Sequence, residues 1–243
     1  MDSAAPLFAG WRETMVWTCL QGHMGSVATD GRTPPESALC AVGDFCFLAG
    51  KPDPELARQA DRPILIPRTP DWEPVLRSVF SEKLSPFTRY AMEGPEAFDR
   101  ERLAAYAAAL PEGYALSPIL PQHCPVLMGQ AWSKDLCGNF RDGDDFVRRG
   151  LGVIALQDGI PVAGASSYTI HDGGVEIEID TRPDQRRKGL ALSCGARLIL
   201  DCLDRGLVPS WDAHNLPSVA LAEKLGYRLR APYQAYLLDL NPS

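Results

Sequence analysis

The residues with the most chemical promise lie between Val175 and Ala191. An alternating segment leads through the polar turn Arg182-Pro183-Asp184-Gln185 to Arg186-Arg187-Lys188-Gly189-Leu190-Ala191, where a helix is expected to begin. Adjacent cations at a helix N-terminus oppose the helix dipole, whose positive end favours Asp or Glu. The arrangement becomes favourable once an anion sits over the helix start, where first-turn N–H groups bind phosphate oxygens. Gly189 removes a Cβ from the path of such a group, and Ala191 is small for the same reason. The basic side chains add charge. A solvated basic turn before an ordinary helix accounts for the same residues. The spacing fits neither a Walker loop nor a dinucleotide fingerprint.

Candidate proton-transfer groups lie on the preceding strand. Val175, Ile177 and Ile179 alternate with Glu176, Glu178 and Asp180, so the carboxylates share one face. If that face turns toward an acceptor, Glu178 or Glu176 serves as general base, directly or through water. If the long helix after Gly189 covers it, the pair is structural and must find hydrogen-bond partners there. The register favours the structural case. His214 is a further candidate, as a proton relay or as a structural polar residue.

These residues must be held by elements that the pattern foreshadows. Val175–Asp180 reads as a strand and Gly189–Asp204 as a helix, with Gly206 at its C-terminal cap. Upstream, Tyr114–Ile119, Leu151–Leu156 and Ile160–Ile170 read as strands, the last two joined by an Asp158-Gly159 hairpin turn. Helical pieces are expected at Cys124–Leu136 and Asp144–Arg149. Downstream come a short strand Ser210–Asp212, a helix Ser218–Leu225 closed by Gly226, and final strands Tyr227–Leu229 and Tyr236–Leu240. The first part of the chain reads as a small α/β unit. It has helices at Trp11–Gln21, Trp72–Phe80 (capped by Asp71) and Phe98–Leu110, and strands at Ser37–Val42, Phe45–Ala49 and Ile64–Ile66. Pro111-Glu112-Gly113 stops the last helix. The expected division is therefore residues 1–112, an N-terminal α/β domain, and 113–243, a second domain.

Composition narrows the function. The chain has 243 residues and a net charge of −7, which argues against a nucleic-acid binder or a basic membrane-surface protein. No apolar stretch is long enough to span a bilayer, and the start carries no secretory pattern. Seven cysteines occur without Cys-x-x-Cys spacing, as expected of buried thiols in a cytoplasmic protein. The four histidines are scattered without ligand spacing, so no metal site is expected. Oligomeric state is not readable.

Arg186-x-x-Gly189-x-Ala191 resembles the Arg/Gln-x-x-Gly-x-Gly/Ala signature of the GNAT acetyltransferase superfamily. Asn215 and Leu225-Gly226-Tyr227 resemble that superfamily's downstream Asn…Leu-Gly-Phe block. Glu176 to Arg182, Gly189-Leu190-Ala191, Pro209 to Asn215 and Ala222-Glu223-Lys224-Leu225-Gly226 are similar to the branch that includes the zwittermicin A resistance protein. The likeness extends to Gly43-Asp44-Phe45, Phe87-Thr88-Arg89-Tyr90 and Trp132-Ser133. It implies an α/β (α+β) fold, a mixed, mostly antiparallel twisted sheet with flanking helices; the smaller N-terminal domain read from the pattern would roof the acceptor side, since such pockets form between domains. It also implies an N-acetyltransferase moving an acetyl group from acetyl-coenzyme A to a small-molecule amine. The alternative is a non-catalytic acyl-coenzyme A-binding or sensor protein.

Carried over by position, the resemblance has Ile179, Asp180 and Thr181 pairing with pantetheine. Arg186, Arg187, Lys188, Gly189, Leu190 and Ala191 would cradle the pyrophosphate, and Asn215, with Ser218 one turn on, would reach the pantetheine arm. Asn215 also reads as a plain helix-start residue. The sequence departs from the family pattern twice. Ala222 stands where a tyrosine often protonates the leaving thiolate, and the usual carboxylate slots fall at Val175 and Ile177. Trp132 and Ser133 line an acceptor pocket or pack a helix. Tyr233 and Tyr236 pack strands or bring a phenol to the thiolate.

Overall fold

The computed structural model describes residues 3–241. The chain opens with α1 (Thr14–Leu20), β1 (Ser26–Thr29), β2 (Ser37–Val42), β3 (Phe45–Gly50), α2 (Pro54–Ala57), β4 (Ile64–Pro67) and α3 (Trp72–Phe80). Strands β2 and β3 are apolar runs buried along almost their whole length, the pattern of strands covered on both faces. Leu39, Leu48, Leu65, Trp72 and Leu76 from these elements meet in one core cluster. Asp71 does not cap α3: its backbone is already helical and its side chain makes no cap bond. A capping residue needs extended backbone to swing its oxygen back. Asp53 has that backbone and accepts from the N–H groups of Glu55 and Leu56 to start α2.

There follow β5 (Leu84–Glu93), α4 (Arg100–Ala108), β6 (Tyr114–Pro118), α5 (Cys124–Met128), α6 (Gly143–Arg149), β7 (Gly152–Gln157), β8 (Ile160–His171), β9 (Gly174–Thr181), α7 (Leu190–Asp204), β10 (Val208–Ser210), β11 (Asp212–Ala213), α8 (Leu216–Leu225) and β12 (Arg228–Leu238). One sheet is ordered β1-β2-β3-β4-β12-β5-β11 and the other β10-β9-β8-β7-β6. Pairing is antiparallel except β3 with β4 and β9 with β10, among the described pairs. This is the mixed, mostly antiparallel α/β fold expected.

The structure corrects several boundaries. The strand expected at Ser210–Asp212 breaks at Trp211 into β10 and β11, which join different sheets. The two final strands are one, β12. Strand β5 carried no clear alternation, and its burial is correspondingly irregular. Two compact units emerge, one running to Arg89 and resuming at Pro232, the other from Tyr90 to Ala231. The break expected at 112/113 lies inside the second unit. Helix α4 belongs there because it packs on α7, with Leu103 buried and Arg100 paired to Asp204.

All seven cysteines are free and buried. Among the described residues, no helix is long and apolar enough to cross a membrane.

Candidate functional site

The site is built where β9 loses a neighbour. Strand β10 runs parallel to β9 over Val208↔Gly174, Pro209↔Val175 and Ser210↔Glu176. After Ser210 the chain turns away, and Asp212 and Ala213 pair instead with Ala91 and Tyr90 of β5. Among the described residues, Ile177 to Thr181 therefore have β8 on one side and no ladder partner on the other. Backbone groups on such an edge are open to a ligand that carries amides of its own. Trp211 sits at the fork, buried, with its indole N–H donating to Ser218 Oγ at 3.1 Å. Tyr227 ties the closed end by donating to the Pro209 carbonyl at 2.9 Å, and burial holds its phenol well above the ordinary range.

Beyond Thr181 the chain enters the basic turn. Gly189 has φ +84° and stands just outside α7. Only glycine takes that conformation without strain, and a Cβ there would meet nothing within 4 Å. The space above the helix start is thus open, and the first-turn N–H groups of α7 have no intrahelical acceptor. Arg186 Nε donates to the Thr181 carbonyl at 3.3 Å. Lys188 Nζ donates to Tyr114 Oη at 3.0 Å and to Gln185 Oε1 at 2.7 Å. Tyr114 Oη in turn donates to Gln185 Oε1 at 2.6 Å. Neither Tyr114 nor Gln185 stood out in the sequence as a site residue. Their signal is tertiary, since they are 71 positions apart.

The faces of β9 are now assigned. A Cβ on Gly195 of α7 would lie 2.9 Å from Ile179 Cδ1, so α7 covers the apolar face. The carboxylates of Glu176, Glu178 and Asp180 belong to the opposite face. There Gly164, paired with Asp180, faces Leu136 at 2.7 Å from its Cβ position. Gly152, which pairs with Ser166 as Glu178 does, faces Ile119 and Phe146. The long helix therefore does not cover Glu178, while Glu176 lies near enough to the buried Tyr227 phenol to help raise it. A bulge does occur, but in β8 between Ser167 and Thr169, so the alternation of β9 is undisturbed. Glu176 is buried, at 5% exposure, whereas Glu178 is half-buried. Burial pushes the Asp180 carboxyl up, against the pull of the Thr181 N–H and Arg186.

The remaining candidates fall as follows. Asn215 caps α8, its Oδ1 accepting from the Ser218 N–H at 3.0 Å, which leaves its amide nitrogen as the donor it can offer. Ser218 Oγ is the acceptor for Trp211. His214 is exposed, next to that cap. Ala222 is fully buried. Ser133 is buried and donates to the Leu127 carbonyl at 2.8 Å, and Trp132 Nε1 bonds Gln130, so both serve the local fold. Tyr236 is buried, and the neighbouring Glu73 carboxylate helps push its phenol up to about 12.

The GNAT acetyltransferase family model matches residues 5–236. A GCN5-related N-acetyltransferase-like protein from Streptococcus suis is 44% identical, with 97% of each chain covered and a TM-score of 0.93. An uncharacterized N-acetyltransferase of Bacillus subtilis, YdfB, is 26% identical over 92% of this chain and 89% of its own. A GCN5-related N-acetyltransferase from Kribbella flavida, at 18% identity and a TM-score of 0.55, is alike in fold, over 92% of this chain and 93% of its own.

Proposed function

The chain belongs to the GNAT acetyltransferase family and is an acyltransferase, and from that premise we propose that it moves an acetyl group from acetyl-coenzyme A to a primary amine of a small molecule. The observation that carries the donor is the fork after Ser210↔Glu176, set beside the open start of α7. The free edge of Ile179, Asp180 and Thr181 suits the two amides of pantetheine. The turn from Arg186 to Ala191 suits a pyrophosphate, and the amide nitrogen of Asn215 is a donor for the arm between them.

In this reading the neutral amine attacks the thioester carbonyl directly. The C–N bond forms, the C–S bond breaks, and coenzyme A leaves as a thiolate that takes up a proton. Glu178 is our choice of base for the ammonium proton, directly or through water, because it is half-buried on the face that α7 leaves alone. Glu176, deeper and level with the fork, is a structural carboxylate, and exposed His214 stands as a relay. An antibiotic amine as acceptor is supported by the resemblance to the zwittermicin A branch alone; an arylamine or a metabolite amine fits the same chemistry. The free buried thiols suit a reducing compartment, so the proposed location is the cytoplasm.

A second reading, an acyl-coenzyme A-binding protein without turnover, draws on Ala222, which brings no phenol to the thiolate. Thiol release from acetyl-coenzyme A across a panel of amines separates the two. Amine-dependent release that saturates in both substrates is expected. Coenzyme A binding without release across the panel supports the second reading, and no binding at millimolar coenzyme A overturns both.

A further inference from the structure

Lys188 is held in an unusual way for a surface cation. Its two recorded hydrogen-bond partners, Tyr114 Oη and Gln185 Oε1, are both neutral. The ammonium lies 5.7 Å from the Tyr114 ring centroid. Gln185 is itself buried, at 7% exposure, and its oxygen also accepts from Tyr114, so the three groups close a triangle. A flexible lysine normally gives up little rotamer freedom without a carboxylate to reward it. Here it is fixed by dipoles beside a helix N-terminus, where positive charge is unfavourable. Two of its three N–H donors are used, and the third remains to be offered.

The direction of the tether also matters. Tyr114 begins β6, the edge strand three places from β9 in the order β10-β9-β8-β7-β6. Three strand spacings are about 14 Å. The tether thus holds the ammonium beside the turn into α7 rather than at the fork.

We propose that Tyr114 and Gln185 are positioning residues that fix Lys188 as a cation for the nucleotide phosphates of coenzyme A. The inference rests on the cofactor reading above and adds to it residues outside the signature. The shared ligand chemistry is a phosphate oxygen, which the 3′-phosphate or the pyrophosphate can supply.

The test is a double-mutant cycle of Tyr114→Phe and Lys188→Met, read by calorimetric binding of coenzyme A, dephospho-coenzyme A and pantetheine, with melting temperatures alongside. Tyr114→Phe keeps the ring and removes one hydrogen bond, so coenzyme A should bind about fivefold more weakly. Lys188→Met should cost about tenfold or more. Adding Tyr114→Phe to Lys188→Met should change nothing further, because the tyrosine acts through the lysine. Pantetheine, which has neither phosphate, should bind all variants alike. If the losses vanish with dephospho-coenzyme A, Lys188 reads the 3′-phosphate; if they persist, it reads the pyrophosphate. In turnover, KM for acetyl-coenzyme A should rise with kcat unchanged. Additive losses, an equal loss for pantetheine, or unchanged coenzyme A affinity in a folded Tyr114→Phe protein overturns the proposal. Failure of the wild-type protein to bind coenzyme A overturns the cofactor reading and this proposal with it, whereas the other failures leave that reading intact.

Discussion

Replacing Gly189 by alanine separates an anion site from an ordinary helix start, because the structure supplies its own control. Gly189 has φ +84° and Gly206, just past the other end of α7, has φ +69°. A Cβ at either position meets nothing within 4 Å. In the free protein the two substitutions therefore carry the same penalty, the strain of an L-residue in the left-handed region, about 1–2 kcal/mol. For a chain of this length that lowers Tm by about 2–8 °C. The two sites differ only in what is expected to lie above them. At Gly189 the new methyl enters the space proposed for pyrophosphate and holds it off the first-turn N–H groups. Losing one hydrogen bond to a charged group costs about 1.5–3 kcal/mol, so coenzyme A should bind about 10- to 150-fold more weakly. At Gly206 its affinity should not change. Calorimetry on both variants, with thermal melts, reads the two quantities apart. Wild-type affinity in Gly189→Ala, or an equal loss in Gly206→Ala, refutes the reasoning.

Three further outcomes follow from the same geometry. Coenzyme A at about 100 times its Kd should stabilise the wild-type protein by about 2.7 kcal/mol, a rise of about 5–10 °C in a thermal melt. Ala222→Tyr should lower Tm without raising kcat, since a fully buried methyl has no room for a phenol and overpacking costs about 1–3 kcal/mol; activity appearing only in this variant would instead mark the wild type as a decayed enzyme. Glu178→Gln should cut turnover by about 10²- to 10⁴-fold with coenzyme A affinity and melting unchanged, while Glu176→Gln should chiefly lower the melting temperature. Near-normal turnover in Glu178→Gln would pass the base role to another group.

What was legible in the sequence was local. Trp72–Phe80 and Ser37–Val42 form as read, because helix and strand periodicity are properties of a few adjacent residues. Gly189 and Gly226 stand at positive φ on the two helix boundaries where they were expected. What was not legible depends on partners distant in sequence. Strand β5 shows no alternation, yet it pairs with β11 more than 100 positions on. The split at Trp211 cannot be read from Ser210-Trp211-Asp212, because it reflects two sheets competing for neighbouring residues. The face of Glu178, for which the register favours cover by the long helix, depends on distant partners in the same way. Alternation says that Glu176 and Glu178 share a face, but the side that α7 takes is set by its packing, with Gly195 admitting Ile179 closely.

The cations of the turn carry this point into the chemistry. As sequence, Arg186-Arg187-Lys188 is a single block of charge, and a block of like charge is most simply a solvated surface. In space the three are distributed. Arg186 folds back to the carbonyl of Thr181, at the end of β9. Arg187 takes φ +62°, unusual for a residue with a Cβ. Lys188 swings to Tyr114 and Gln185. The positive φ at Arg187 and Gly189, with Lys188 between them, is the kind of backbone alternation that turns successive N–H groups toward one concavity. It also sends neighbouring side chains apart, which relieves their repulsion and leaves the Cβ position of Gly189 clear. Two of the three side chains are thus held to one side, Arg186 at Thr181 and Lys188 at Tyr114 and Gln185, and the Cβ position of Gly189 stays clear, which is what the proposed pyrophosphate site requires.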